Sequence, residues 1–118
     1  MIAAETSPAL REIRLGPIAA IPPGEGREYR IGHRDVAVFH GRNGVVYATQ
    51  ATCPHRAGPL ADGLLGGSIL ICPLHAWKFD LTTGRLLQGD CGLETYPVHL
   101  SEAGDILLSL PAEIDDQA

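Results

Sequence analysis

The residues of this 118-residue chain with the clearest potential for chemistry are two cysteines and two histidines in two short boxes. The boxes read CPH and CPLH and are separated by 16 residues. Each box supplies one thiolate and one imidazole, so two converging loops would offer a metal centre two ligands of each kind. The four candidate ligands are Cys53, His55, Cys72 and His75.

This ligand set suits two kinds of metal centre. A [2Fe–2S] cluster takes four ligands, two for each iron, and tetrahedral zinc also accepts two thiolates and two imidazoles. Zinc fingers usually pair cysteine with cysteine and histidine with histidine, whereas each box here mixes the two. The pattern favours the iron–sulfur cluster, and a zinc-binding interaction module is the more distant alternative.

Formal charge indicates what an iron–sulfur cluster with this ligand set would do. If both cysteines bind one iron and both histidines the other, the oxidised cluster is neutral and gains a single negative charge on reduction. An all-cysteine cluster already carries two negative charges before it is reduced. The mixed cluster therefore accepts an electron more readily, and the electron should settle on the histidine-bound iron.

The stretches CPHRAGPL and CPLHAWKFD resemble the paired C-x-H and C-x-x-H boxes of the Rieske family. With the alternating strands around them, the resemblance extends over roughly residues 11–110. It implies a Rieske-type [2Fe–2S] cluster whose two imidazoles coordinate through Nδ1 and leave Nε2 at the surface. The ligands that it implies are Cys53, His55, Cys72 and His75.

The chain departs from the high-potential members of that family at two pairs of positions. The disulfide that clasps the ligand loops in those proteins cannot form, because its positions are occupied by Gly58 and Leu74. Trp77 and Phe79 stand where those proteins have a serine and a tyrosine that bond to sulfur. Fewer hydrogen bonds leave more negative charge on sulfur, which predicts a low-potential, ferredoxin-type centre.

Without the clasp, packing and the cluster itself must hold the ligand loops. Leu60, Leu74 and Trp77 are candidates for an apolar lid, and the apo-protein should have disordered loops on a partly stable base. Gly58 and the pair Gly66–Gly67 are expected to allow unusual backbone angles near the cluster. The third loop of such domains often contains proline, which the corresponding residues 87–90 lack.

Alternation of apolar and polar residues predicts an all-β chain of short strands separated by turns. The predicted strands are Arg11–Leu15, Arg27–Ile31, Val36–His40, Val45–Gln50, Ile69–Cys72, Trp77–Leu81, Glu94–Leu100 and Ile106–Leu110. The sequence GRNG at 41–44 predicts a hairpin turn, because Asn and Gly tolerate positive φ. Pro59–Gly67 interrupts the alternation and is predicted to be an apolar loop that covers something.

The resemblance arranges these strands as a Rieske-like fold of antiparallel sheets in a single domain, residues 1–118. A β base is expected over roughly 10–51 and 93–110, and a small cluster-binding subdomain over roughly 52–92. The length of the chain agrees with one domain.

Composition limits the partners and the compartment. The net charge is −5, the pI is near 5.4, and no cluster of Lys and Arg occurs, so neither nucleic acid nor an anionic membrane is an expected partner. Such an acidic protein suits a basic docking face on another protein. The N-terminal sequence shows no signal peptide or membrane-spanning stretch, and three cysteines do not suit a disulfide framework. A cytoplasmic protein is therefore expected.

The remaining reactive side chains receive mainly structural interpretations. Cys91 is predicted to be a buried thiol outside the ligand set. His33, His40 and His99 match no ligand box and are predicted to be solvated or edge histidines. Two basic residues beside the boxes either dock an acidic patch of a partner or are simply solvated, and these are Arg56 and Lys78.

These features predict an electron carrier with no catalytic site of its own. The sequence contains neither a mononuclear-iron domain nor a G-x-G-x-x-G motif, so electrons would arrive from a separate flavin reductase and leave to a terminal oxygenase. The alternative is the small subunit of an NAD(P)H-dependent nitrite reductase, which would bind the large subunit of that enzyme. That alternative depends on the segment GDCGLETYPVHL, which resembles the C-terminal strand region of such subunits.

Overall fold

A computed structural model of the chain describes residues 10–53, 59–72, 77–87 and 92–111. Over these ranges the regular structure consists of ten β-strands and two short 3-10 turns, Ile18–Ala20 and Leu60–Asp62, with no α-helix. The prediction of an all-β chain is confirmed. Among the described residues there is no helix with the length and apolarity needed to cross a membrane.

The ten strands form three antiparallel sheets. The strands are β1 (Leu10–Pro17), β2 (Glu25–Ile31), β3 (Arg34–His40), β4 (Val46–Gln50), β5 (Leu64–Gly66), β6 (Ile69–Ile71), β7 (Lys78–Asp80), β8 (Arg85–Leu86), β9 (Val98–Leu100) and β10 (Asp105–Pro111). Their orders are β1-β10-β9, β2-β3-β4 and β5-β6-β7-β8. The prediction of antiparallel sheets is therefore confirmed.

The sheet β2-β3-β4 contributes to two separate hydrophobic cores. Val36 and Val38 point to one core, which also contains residues of β10, whereas Ala37 and Phe39 point to the other, which contains residues of β5 to β8. Successive side chains of a strand face opposite sides, so β3 is buried on both faces. This double burial explains why the sequence VAVF is apolar throughout instead of alternating.

The GRNG prediction is confirmed by the hairpin between β3 and β4. The Gly41 N–H donates to the carbonyl of Val45 at 2.8 Å, and the Val45 N–H donates to Asn43 Oδ1 at 3.0 Å. Gly44 has a φ of 86°, which is costly for any residue with a Cβ.

The prediction that Pro59–Gly67 is a loop was wrong, because Leu64–Gly66 is a strand. In β5, Leu65 pairs with Leu70 of β6, and both side chains are buried. The adjacent glycines hid this strand from the alternation pattern. Of the two, Gly67 has a positive φ of 60° in the turn that leads to β6, as predicted, whereas Gly66 belongs to the strand.

Two further differences concern strand length. The structure shortens the predicted strand Glu94–Leu100 to β9, because the Tyr96 N–H donates to the Ala48 carbonyl of β4 instead of joining the sheet of β9. The alternation pattern did not predict β8, which is only two residues long.

Candidate metal centre

Cys53 lies where the chain leaves β4 at the beginning of the first ligand box. Thr52 forms an isolated antiparallel bridge with Pro59, and the Leu60 N–H donates to the Ala51 carbonyl at 2.9 Å. These contacts join the two ends of the first box. The side chain of Cys53 is buried, with a relative exposure of 1%.

Cys72 occupies the equivalent place in the second box, immediately after β6. Its N–H donates to the carbonyl of Trp77 at 2.7 Å, and the preceding Ile71 pairs with Lys78 of β7. The described residues on both sides of the second box therefore belong to one β-hairpin. Cys72 is also buried, with a relative exposure of 1%.

Residues 88–91 are a third segment of the chain, and described residues on both sides of it form backbone hydrogen bonds. The Leu87 N–H donates to the Lys78 carbonyl at 2.9 Å, and the Leu93 N–H donates to the Gly84 carbonyl at 2.6 Å. The beginning of this segment thus lies beside the end of the second box, because Lys78 opens β7.

The sheet β5-β6-β7-β8 brings all three segments to one end. Leu64 pairs with Ile71, Ile71 pairs with Lys78, and Leu87 bonds to Lys78, so these four residues form a row across the sheet. The first segment enters β5 just before this row, the second leaves β6 just after it, and the third leaves β8 there. Antiparallel pairing therefore places the described ends of both ligand boxes together.

Both cysteines belong to one core cluster, whose other members include the fully buried Leu60, Leu70 and Phe79. A thiolate charge in such apolar surroundings is costly unless it is paired or coordinates a metal. Two buried sulfur donors on two paired loops therefore fit a cluster in which one iron takes two thiolates. The other two predicted ligands, His55 and His75, lie outside the described residues.

The predicted apolar lid is only partly matched. Leu60 is fully buried and belongs to the core itself, whereas Trp77 is half-buried and packs on that core with its ring centroid 6.5 Å from the ring of Phe79. Leu74 lies outside the described residues. Neither Trp77 nor Phe79 carries a hydroxyl that could donate a hydrogen bond to a sulfur.

Two glycines that the sequence interpretation did not single out hold the ends of these segments. A Cβ on Gly63 would lie 2.4 Å from the Ile71 carbonyl oxygen, and one on Gly84 would lie 2.3 Å from the Leu93 carbonyl oxygen. Gly84 stands in a Thr-Thr-Gly turn that the pattern does show, but no local signal marks Gly63. Gly58, which was singled out, lies outside the described residues.

The other histidines lie away from the ligand boxes in the chain. His33 is exposed in the β2–β3 turn, and His99 is exposed with Nε2 3.8 Å from a carboxylate oxygen of Glu12, as expected for solvated residues. His40 is half-buried instead, and its Nδ1 donates to the Ile21 carbonyl at 2.7 Å. Lys78 is exposed, whereas Arg56 and Cys91 lie outside the described residues.

A sequence model of the Rieske [2Fe-2S] domain family matches residues 12–97, a range that includes both boxes. The chain belongs to this family. Its cofactor is a Rieske-type [2Fe–2S] cluster, and the zinc alternative is accordingly disfavoured.

The Rieske chain also resembles individual proteins over most of its length. It is 38% identical to the 3-phenylpropionate/cinnamic acid dioxygenase ferredoxin subunit of Escherichia coli (strain K12) over 105 residues, which are 86% of this chain and 96% of that protein. Its structure matches the Sphingomonas yanoikuyae B1 ferredoxin with a TM-score of 0.74 at 30% identity, over 86% of this chain and 100% of the other.

A structure described as an NADH-dependent nitrite reductase small subunit, from Mycobacterium tuberculosis, gives a TM-score of 0.80. That match covers 86% of this Rieske chain and 96% of the other at 19% identity, so it shows a shared fold and no more. The prediction of a Rieske-like fold is confirmed.

Proposed function

We propose that this chain is a one-electron carrier whose cluster is held by Cys53, His55, Cys72 and His75. The observation that carries the proposal is the burial of Cys53 and Cys72 in one core, each at the beginning of its ligand box and next to residues with backbone hydrogen bonds. When bound, a cluster of this type supplies reversible one-electron oxidation and reduction.

The chain's own residues set the surroundings of that electron. The apolar side chains of Leu60, Leu70 and Phe79 exclude water from the inner side of the two cysteines. Neither Trp77 nor Phe79 carries a hydroxyl, so neither residue can form the hydroxyl-to-sulfur hydrogen bond that reduces the negative charge on sulfur. We therefore propose a low-potential, ferredoxin-type centre.

The proposed partners are a flavin reductase that donates the electron and a terminal oxygenase that receives it. The 38% sequence identity to an E. coli dioxygenase ferredoxin subunit, over 96% of that protein, supports this assignment. The cytoplasm is the proposed compartment, because ligand cysteines must stay reduced before the cluster is inserted. The role of nitrite reductase small subunit is the alternative, and a stable complex with a large sirohaem-containing chain would favour it.

EPR spectroscopy and redox titration of the purified protein test the proposed function. The protein reduced with dithionite should give a rhombic, Rieske-like EPR signal that accounts for one electron per chain. Its midpoint potential should vary little with pH around neutrality, because a low-potential centre keeps both imidazoles protonated at Nε2 until alkaline pH. A colourless protein with stoichiometric zinc would refute the proposal, and a midpoint well above zero would refute its low-potential part.

A partner would dock on the outer face of the sheet β5-β6-β7-β8. Among the residues that the structure describes, the large apolar side chains that are exposed are Val45, Leu64 and Leu87, with relative exposures of 45%, 72% and 54%. Leu64 and Leu87 lie at the two ends of the row of paired residues that crosses this sheet next to the ligand boxes. The exposed Lys78 lies between them. Small apolar contacts of this kind suit the weak, short-lived complexes of electron transfer.

Replacing Leu64 and Leu87 together by serine should weaken docking without changing the cluster. With a reductase that reduces the wild-type protein, the KM for the variant should rise about 10-fold, since loss of two apolar anchors costs about 1–2 kcal/mol of binding. Val45→Ser is the matched control, because Val45 directly precedes β4, whose other end leads to Cys53. An equal rise for both variants would place docking elsewhere.

A further inference from the structure

Gln50, the last residue of β4, forms hydrogen bonds in two directions. Its side-chain Nε2 donates to the Thr52 carbonyl at 2.8 Å, and its side-chain Oε1 accepts from the Glu94 N–H at 2.7 Å. The Gln50 backbone N–H also donates to the Glu94 carbonyl at 3.0 Å. One side chain therefore joins two backbone segments that are more than 40 residues apart in the chain.

Both segments lead directly to the metal centre. Thr52 immediately precedes the buried Cys53, and its carbonyl belongs to the peptide group whose nitrogen is that of Cys53. Glu94 follows Leu93, whose N–H bonds to Gly84 where the third segment returns to the sheet. Gln50 thus ties the beginning of the first ligand box to the end of the third segment.

The Glu94 side of this connection is firmly anchored. The Tyr96 hydroxyl donates to Glu94 Oε1 at 3.1 Å and itself accepts from Arg34 Nη1 at 2.7 Å. Burial, and then the neighbouring Glu94 charge, raises the pKa of Tyr96, so this hydroxyl keeps its proton at neutral pH. Arg34 is nearly buried, with a side-chain exposure of 13%, and its Cζ lies 5.3 Å from the centre of the Tyr96 ring.

The amide side chain of Gln50 serves both directions at once. It offers a donor for the Thr52 carbonyl and an acceptor for the Glu94 N–H. A carboxylate keeps the acceptor but turns a lone pair toward the Thr52 oxygen, and a thioether of similar length offers neither strong bond. The two bonds are therefore a reason for glutamine at this position.

We propose that Gln50 is a positioning residue for the cluster, which fixes the peptide between Thr52 and Cys53 and thereby the direction of the Cys53 sulfur. This inference rests on the proposed role of Cys53 as a ligand. Gln50 acts through the backbone and does not itself touch the cluster.

The test compares Gln50→Glu and Gln50→Met with the wild-type holoprotein. Gln50→Met should lose iron to a chelator on the order of 10-fold faster, because two net hydrogen bonds are lost. Both variants should shift the g-values of the reduced EPR signal, since both lose the bond to Thr52. Gln50→Glu keeps the bond to Glu94, so this variant tests the Thr52 bond when the methionine variant fails to fold.

Ser101→Ala is the matched control, because it removes one side-chain bond to a backbone N–H, that of Asp105, in the β9–β10 turn away from the ligand boxes. It should lower the thermal midpoint without moving the g-values. If Gln50→Glu has wild-type g-values and a wild-type rate of iron loss, the inference is wrong. Absence of a Rieske signal from the wild-type protein would instead refute the proposed function, so the two failures are distinguishable.

Discussion

Cys72→Ser should yield a protein that folds as a β-protein but binds no [2Fe–2S] cluster. A neutral hydroxyl is a poor ligand for iron compared with a thiolate, and the one remaining ligand cysteine, Cys53, cannot provide both sulfur ligands of the same iron. Because Cys72 is buried, water has little access to take the place of the lost sulfur. Iron and acid-labile sulfide should fall from about two of each per chain to near zero.

The histidine ligands call for a different substitution. His75→Cys offers a thiolate in place of an imidazole, so the variant should either lose the cluster or lose the rhombic EPR signal that two imidazoles on one iron produce. Cys91→Ser is the control, since Cys91 is predicted to lie outside the ligand set. If Cys91→Ser loses the cluster while Cys72→Ser keeps it, the proposed ligand set is incorrect.

Gly84→Ala should be the most destabilising of the single-methyl additions considered for this chain. Gly84 has a φ of 83°, which costs a residue with a Cβ about 1 kcal/mol. The new Cβ would also lie 2.3 Å from the Leu93 carbonyl oxygen, so the backbone at Leu93 must move. Together these effects should lower the free energy of unfolding by about 3 kcal/mol.

Two other glycines separate the effects of strain and of crowding. Gly67 has a φ of 60° with open space around the added Cβ, so Gly67→Ala should cost about 1 kcal/mol from strain alone. Gly63 has an ordinary φ of −75°, but its Cβ would lie 2.4 Å from the Ile71 carbonyl, so Gly63→Ala tests crowding alone. Urea unfolding monitored by circular dichroism gives the free energy of unfolding of each variant and so the order of the three costs. Equal costs for Gly84→Ala and Gly67→Ala would contradict the close approach of Gly84 to the Leu93 carbonyl.

The crowding at Gly63 and at Gly84 is a feature that the sequence pattern could not predict. Nothing in the residues around Gly63 indicates a carbonyl of β6 within 2.4 Å of a potential Cβ, because that oxygen belongs to Ile71 on another strand. The strand β5 was missed for a related reason. Its pairing with β6, rather than its own short and glycine-ended sequence, makes it a strand.

The sequence by itself determined the chemistry of the site and the class of the fold. Thiolates and imidazoles restrict the metal centre to a few kinds through their own donor atoms, so the boxes at Cys53 and Cys72 were informative without a structure. The alternating strands and the Asn43–Gly44 turn could also be predicted. Both the two-residue period of a strand and a positive φ depend on residues that are adjacent in the sequence. The division into a base and a cluster-binding subdomain stays a prediction.

Only the tertiary structure decided how the described ends of the two boxes come together. Antiparallel pairing brings their ends to one row of the sheet, and the side chain of Gln50 joins that region to Glu94, 44 residues away. Such contacts depend on which strands become neighbours, and that outcome reflects the packing of the described strands into two cores. Local sequence patterns do not predict which strands become neighbours, because a residue's propensity does not specify its distant partner.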